Sequence, residues 1–391
     1  MVVATVQSFG HTHNLELVDL AHAHGRVLGE AIHADRDYPA LRRSLRDGFA
    51  VRSGDVPGSL RVRGEVRAGE MEQAAIEKGE ALEIMTGAPV PPGADAVVMV
   101  EHVERISNNG DAVVRIDRNA EPNQFVNEQG AEAKEGSLLI EAGTKIDASH
   151  VATLAMSGHA MVTVEARPRV AILATGDEIV GVDEQPAAHQ IRNSNSYMLA
   201  SLVRTAGGDP IILPIARDSK HSLRPFLSWG LEQDMLIVTG GVSAGKYDLV
   251  KPGLRELGVE FHFERVRVQP GQPTAFGTFS NKPVFGLPGN PGSTLVTFQL
   301  FARAALEIVA GVDTPILPLL TAQFEAPFRH KRGLTRFLPA RLSDDGEKLR
   351  HIPWQGSSDI PALARANVFL IADHDRESWE TGDSIRVMPK P

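Results

Sequence analysis

Apolar and polar positions along the chain fall into successive regimes, each with its own period. Over residues 15–32, Leu17, Leu20, Ala21, Val27, Leu28 and Ala31 recur at three- and four-residue spacings. That period predicts a helix, broken or bent at Gly25. From 36 to about 127 the spacing shortens. Residues 60–66 alternate apolar and polar as a half-buried strand does, and 96–100 and 112–116 read as further strands. Pro and Gly clusters at 55–59 and 88–93 mark turns, and Asn108-Asn109-Gly110 predicts a hairpin. Residues 136–164 read as strand, turn and a helix over 148–157, capped by Asp147 or Ser149. This piece is expected to pack with the N-terminal helix, leaving the β-rich stretch as an insertion.

The most regular part begins at Pro168. Strands are expected at 169–174, 210–215, 236–238 and 284–287. They alternate with helices at 196–206, 219–233 (capped by Ser219), 248–257 and 293–309, the last ended by Gly311. Strands alternating with helices of this length imply right-handed crossovers and a parallel sheet covered on both faces. After Asp313 the pattern returns to short strands and turns, which predicts a small β barrel or sandwich. The expected fold is therefore α/β plus β and multidomain. A discontinuous N-terminal domain spans 1–35 and 128–167, and a β-rich module spans 36–127. The α/β domain covers 168–312 and the C-terminal β domain 313–391.

Composition narrows the function. At 391 residues the chain is too long for one ordinary domain. A formal charge of −9 argues against a general nucleic-acid binder. The absence of cysteine excludes disulfides, thiolate metal sites and cysteine nucleophiles. No apolar run is long enough to span a bilayer, and the N-terminus lacks the pattern of a signal peptide. A cytoplasmic enzyme is the expectation.

Candidate chemistry gathers where ligands bind in an open parallel sheet, beyond the carboxyl ends of the strands. Thr175-Gly176-Asp177-Glu178 follows the first strand and Ala216-Arg217-Asp218 the second. The third, a buried apolar run, is followed by Gly240, Gly241, Ser243, Gly245 and then Asp248. Pro288-Gly289-Asn290 follows the last and opens a helix. Glycines allow tight turns whose backbone N–H groups can cradle phosphate. Carboxylates beside such a cradle suit a divalent cation shared with the phosphates. Asn193, Ser194 and Asn195 are expected to line the same cleft, with Asn195 or Ser196 capping the next helix. A Gly-x-Gly-x-x-Gly after a strand is missing, so a dehydrogenase reading fails.

Six motifs in order resemble the molybdopterin molybdenumtransferases, which also occur as the C-terminal domain of gephyrin. They are Asp47-Gly-Phe-Ala-Val, Met85-Thr-Gly-Ala-Pro-Val-Pro-Pro-Gly-Ala-Asp95-Ala-Val, Thr175-Gly-Asp-Glu178, Asn193-Ser-Asn195, Gly240-Gly-Val-Ser-Ala-Gly and Gly286-Leu-Pro-Gly-Asn-Pro291. The resemblance covers nearly the whole chain. It implies an elongated homodimer of four-domain subunits with a molybdopterin-binding α/β domain and a C-terminal β barrel. It implies Mg²⁺-dependent cleavage of adenylylated molybdopterin, release of AMP and insertion of molybdenum from molybdate. By the same resemblance Glu178, Asp218 and Asp248 hold the cation, and Asp47, Thr86 and Glu132 come from the facing subunit. The molybdopterin adenylyltransferase and acceptor molybdoenzymes are the implied partners.

The departures concern molybdate. The family usually carries lysines where this chain has Arg265, Gln269 and Gln272. Arg265 keeps a charge on a planar fork; the glutamines can only hydrogen-bond. Lys246 offers another cation, and Arg336, Ser357 and Ser358 are the expected oxyanion contacts from the C-terminal domain. An alternative is a family member that carries the pterin and inserts metal weakly. A nucleotide-processing hydrolase of the competence-damage-inducible type ranks below both, because its Gly-Gly-Leu-Gly-Pro-Thr motif is missing.

Overall fold

The computed structural model describes residues 1–10, 14–70, 74–108, 111–242 and 248–391, with the side chains of 107, 108 and 111 left aside. Its first strand overturns the expected N-terminal helix. Leu15–Asp19 is a β-strand paired antiparallel with Met161–Glu165. Ile32–His33 pairs with Leu138–Ile140. The helical spacing over 15–32 is coincidental, because two glycines in it serve other ends. Gly25 has a φ of +76°, which ends any helix there. A Cβ on Gly29 would lie 2.6 Å from Leu15 Cδ2, so the chain folds back on its own strand at that point. The N-terminal and 136–165 segments do meet, through strands, around a small core of Ala23, Leu28, Ile32, Ile140, Ile146, Leu154, Val162 and Val164.

The helix Ala148–Met156 forms as expected, and its cap is Asp147. The Asp147 carboxylate accepts from Ser149 and His150, and the His150 ring accepts from the Asp147 N–H in return. These bonds, the Ser149 hydroxyl foremost, lower the Asp147 carboxyl to about 2. A folded value below the ordinary carboxylate range of about 4 means stabilisation that is complete above that range. It is lost as pH falls from about 4 through about 2. Asp147→Ala is therefore expected to lower the melting temperature at pH 7 and to remove this part of the acid-unfolding curve. Circular dichroism melts between pH 2 and 7 check both outcomes; an unchanged acid limb would contradict the assignment.

The stretch between these segments forms a six-stranded mixed sheet in the order Ala96–Met99, Gly48–Val51, Glu80–Ile84, Gly58–Val66, Asp111–Ile116, Val103–Asn108. The last two strands form the expected hairpin; turn residues Asn109 and Gly110 lie outside the described residues. Antiparallel pairing of Gly48 with Ile84 sets Asp47 beside Thr86 at one end of this sheet.

The α/β domain contains β1 (Arg169–Ala174), α1 (Ser194–Thr205), β2 (Asp209–Ile212), α2 (Lys220–Glu232), β3 (Met235–Thr239), α3 (Val250–Glu256), β4 (Glu260–Phe263), β5 (Ala275–Phe279), β6 (Lys282–Leu287) and α4 (Pro291–Thr297). Helix α4 continues through a π segment, Phe298–Ala302, into Arg303–Val309. The sheet order is β2-β1-β3-β6-β5-β4. The first four strands are parallel, as expected. Beyond them β5 pairs antiparallel with β6, and the edge strand β4 antiparallel with β5, so the sheet is mixed rather than all-parallel. Successive side chains divide between the two faces. Val170, Ile172, Met235 and Ile237 enter one core, while Ala171, Leu173, Leu236 and Val238 enter the other. A sheet buried on both faces reads as continuous apolar runs, which is why these strands were legible.

The C-terminal strands Thr335–Leu342, Lys348–His351, Leu320–Phe324, Ser384–Pro389 and Val368–Ala372 close into a barrel, the last pairing back onto the first. The helix Ile360–Arg365 was not expected; a Pro at its start and the Asp359 cap define it. Between β4 and β5 the chain reaches across to this barrel, and Val268–Gln269 pairs parallel with Thr335–Arg336.

Candidate active site

The carboxyl ends of β1, β2, β3 and β6 and the start of α1 enclose a cleft of about 460 Å³. Thr175, Gly176, Glu178, Asn193, Ser194, Asn195, Asp218, Gly240, Gly241, Asp248, Pro288, Gly289 and Asn290 all line it. Ser243, Gly245 and Lys246 lie outside the described residues. Asp177 is described but does not line the cleft. Its carboxylate turns to the backbone of the neighbouring strand end and accepts from the Asp218 N–H at 3.2 Å. Its carbonyl accepts from Arg217 at 2.9 Å.

The glycine turn is shaped by close backbone approach. Gly240 has a φ of +92° and Gly241 of +59°. The Gly240 N–H donates to the Leu287 carbonyl at 3.1 Å, which ties the end of β3 to the end of β6. At Gly176 an added Cβ would lie 2.7 Å from a Glu178 carboxylate oxygen, so glycine there lets Glu178 fold over the turn. Thr175 donates its hydroxyl to the Asp218 carboxylate at 2.8 Å. Glu178, Asp218 and Asp248 thus face one cavity. Among the described residues no three His, Asp or Glu side chains cluster closely enough to enclose a metal ion by themselves.

Asn193, rather than Asn195 or Ser196, caps α1, accepting from Ser196 N–H at 3.1 Å. Asn195 does structural work across the cleft floor. Its Nδ2 donates to Thr239 Oγ1 at 3.0 Å and to the Gly289 carbonyl at 2.6 Å. The carbonyl partner fixes which amide atom is nitrogen. Thr239 also donates to the Pro288 carbonyl at 3.2 Å, as does Thr294 at 2.6 Å. Neither threonine was singled out from the sequence. The available signal was a hydroxyl ending an apolar strand and another in the first turn of the following helix.

The N-terminus of α4 is already engaged. Gly292 N–H donates to the Ser357 carbonyl at 2.7 Å, and Asn290 Nδ2 donates to Ser357 Oγ at 3.0 Å. Ser357 therefore joins barrel to cleft, and its own hydroxyl proton remains a donor. The other expected oxyanion residues lie beside this seam rather than in the cleft lining. Gln269 pairs with Arg336 across the two domains, and Arg265 donates to Gln272 Oε1 at 3.1 Å. That contact engages the Gln272 amide oxygen and leaves its amide nitrogen as the donor. Arg336 Nε is buried without a partner.

Asp47 and Thr86 do not line this cleft. The Thr86 N–H and hydroxyl both donate to one Asp47 oxygen, at 2.6 and 2.7 Å. The backbone bond first, then the hydroxyl, lowers the Asp47 carboxyl from its ordinary value. An exposed, pre-oriented carboxylate results. Glu132 accepts from Asn127 at 2.9 Å and also stands apart from the cleft.

Three family descriptions match in chain order: "MoeA N-terminal region (domain I and II)" over 2–158, "Probable molybdopterin binding domain" over 171–308, and "MoeA C-terminal region (domain IV)" over 321–390. The molybdopterin molybdenumtransferase of Bacillus subtilis (strain 168) is 32% identical across 99% of this chain and 91% of its own. The chain belongs to the molybdopterin molybdenumtransferase family. Molybdopterin molybdenumtransferase 2 of Mycobacterium tuberculosis is also 32% identical, over 95% of this chain and 94% of its own. A crystal structure of the molybdopterin biosynthesis MoeA protein from Pyrococcus horikoshii OT3 superposes with a TM-score of 0.83 at 27% identity, covering 99% and 98% of the two chains. This family member is thus a transferase, and the competing hydrolase reading is set aside. None of its described helices is long and apolar enough to cross a membrane.

Proposed function

We propose that the protein inserts molybdenum, supplied as molybdate, into adenylylated molybdopterin, cleaving the phosphoanhydride and releasing AMP during cytoplasmic molybdenum cofactor biosynthesis. The observation that carries this reading is the meeting of two acidic and two glycine-rich strand ends in one cleft. Cleaving a phosphoanhydride is chiefly a matter of positioning and charge neutralisation, which this set of groups is built to do without a covalent nucleophile. Bound Mg²⁺ would supply the neutralisation. One or two of Glu178, Asp218 and Asp248 would hold it, with phosphate oxygens and water completing its shell, and the turn at Gly240–Gly241 would receive the phosphates. Asn193 and Ser194 would line the wall beside the ligand.

Molybdate, a substrate, would bind at the seam, where Arg265, Arg336, Gln269, Gln272 and Ser357 provide two guanidinium groups and several neutral donors. Guanidinium forks match a tetrahedral oxyanion well, which supports binding without the usual lysines. We further assign a homodimer in which Asp47 and Thr86 complete the partner's cleft, with Glu132 beside them. The exposed, ionised Asp47 carboxylate, which no cation of its own subunit is needed to hold, supports this. The expected domain bounds, 1–35 with 128–167, 36–127, 168–312 and 313–391, belong to the same reading. So do delivery by a molybdopterin adenylyltransferase and hand-over to acceptor molybdoenzymes.

A single-turnover assay tests the reaction. Adenylylated molybdopterin, Mg²⁺ and molybdate are mixed with the protein, and AMP and pterin-bound molybdenum are followed together. AMP release that requires molybdate and is lost in Asp248→Asn is the expected result. Tight pterin binding with neither product would leave a carrier instead.

A further inference from the structure

We propose that Thr175 and Asp177 are positioning residues that bracket Asp218 and fix it to the glycine turn, rather than contacts to the ligand. The inference rests on the reading of Asp218 as a cation-holding carboxylate. Thr175 is only 4% exposed. Its hydroxyl donates to Asp218 Oδ1 at 2.8 Å, and because a carboxylate only accepts, the direction of that bond is fixed. The hydroxyl proton is therefore spent on Oδ1, and Oδ2 is not engaged by this bond.

The remaining atoms of Thr175 face the turn. Its N–H donates to the Thr239 carbonyl at 3.1 Å. Its carbonyl oxygen lies 2.4 Å from where a Cβ on Gly240 would stand, and its methyl 3.1 Å from where one on Gly241 would stand. One buried side chain thus touches the cation side of the cleft with its oxygen and the phosphate side with its methyl. Asp177, two residues on, accepts from the Asp218 backbone N–H at 3.2 Å from outside the cleft. Asp218 is held by its side chain and its backbone, from both sides of Gly176.

The two functions of Thr175 separate by substitution. Thr175→Val keeps the methyl and removes the donor; Thr175→Ser does the reverse. The probes are Mn²⁺, counted free by electron paramagnetic resonance, and AMP, on the full-length protein. Loss of a hydrogen bond to a charged group predicts about tenfold weaker Mn²⁺ binding in Thr175→Val, with AMP affinity within about twofold. Thr175→Ser is expected to keep Mn²⁺ affinity and weaken AMP severalfold. Asp177→Ala, which avoids the buried position, should weaken Mn²⁺ severalfold and leave AMP unchanged. Equal losses of both probes in both threonine variants, or unchanged Mn²⁺ binding in Thr175→Val and Asp177→Ala, would overturn the proposal. Loss of AMP affinity in Asp177→Ala would make Asp177 a ligand contact and overturn it too. A wild-type protein that binds AMP but no Mn²⁺ would instead remove the cation reading, and the proposal with it.

Discussion

An equal mixture of Asp47→Asn and Asp248→Asn subunits, dissociated and reassembled, is expected to recover about one quarter of wild-type AMP release, although each parent alone is nearly inactive. Each parent should fall by about a hundredfold or more, the usual effect of removing a group that neutralises or orients transition-state charge. Asp248 lines the cleft, and Asp47 does not. If Asp47 serves the partner's cleft, a mixed dimer has one site with both carboxylates intact and one with neither. Random reassembly makes about half the dimers mixed, so about a quarter of all sites are whole. A cleft completed by its own subunit predicts no recovery at any mixing ratio. The measurement is steady-state AMP release against mixing ratio, with the parents as baselines.

Gly240→Ala is expected to destabilise the α/β domain by about 3 kcal/mol and to abolish the reaction. Two penalties coincide there. A φ of +92° strains any residue with a Cβ. The new atom would also lie 2.4 Å from the Thr175 carbonyl oxygen, a backbone atom that cannot swing aside. Gly346→Ala separates the two penalties. Its φ is +77°, yet nothing lies within 4 Å of the added Cβ. That variant should lose only about 1 kcal/mol and keep activity. Urea unfolding of both proteins makes the comparison. Equal losses would mean that the turn at Gly240 relaxes freely, which would contradict the rigid phosphate cradle proposed for it.

The strands β1, β3 and β6 were legible because burial on both faces leaves an unbroken apolar run between turn residues. The chemistry at their ends followed from the same logic. What could not be read was direction. Thr175-Gly-Asp-Glu178 supplies two adjacent acids, and only the coordinates separate Glu178, in the cleft, from Asp177, behind Asp218. The same holds for Asn193 and Asn195, one a helix cap and the other a tie between strand ends. The antiparallel edge was missed because β5, Ala-Phe-Gly-Thr-Phe, carries no alternation and no β-α spacing. The N-terminal error has another cause. Leu15 and Leu17 are exposed on a two-stranded ribbon, so their spacing carries no burial signal, and chance left a helical period.

The excursion between β4 and β5 also bears on whether the barrel can be inherited separately. By lending Val268–Gln269 to the barrel, the α/β domain covers an edge that would otherwise present open hydrogen-bonding groups. Phe337, Phe369, Ile371 and Met388 of the barrel share one apolar core with β1, β3 and β6. A barrel expressed alone would show both that edge and that surface to solvent, the features that drive chains to self-associate. The barrel is therefore not a transplantable cassette. Recombination would have to move the barrel together with the α/β domain it packs on, and chimeras cut near residue 313 should precipitate where chimeras cut just before Pro168 remain in solution.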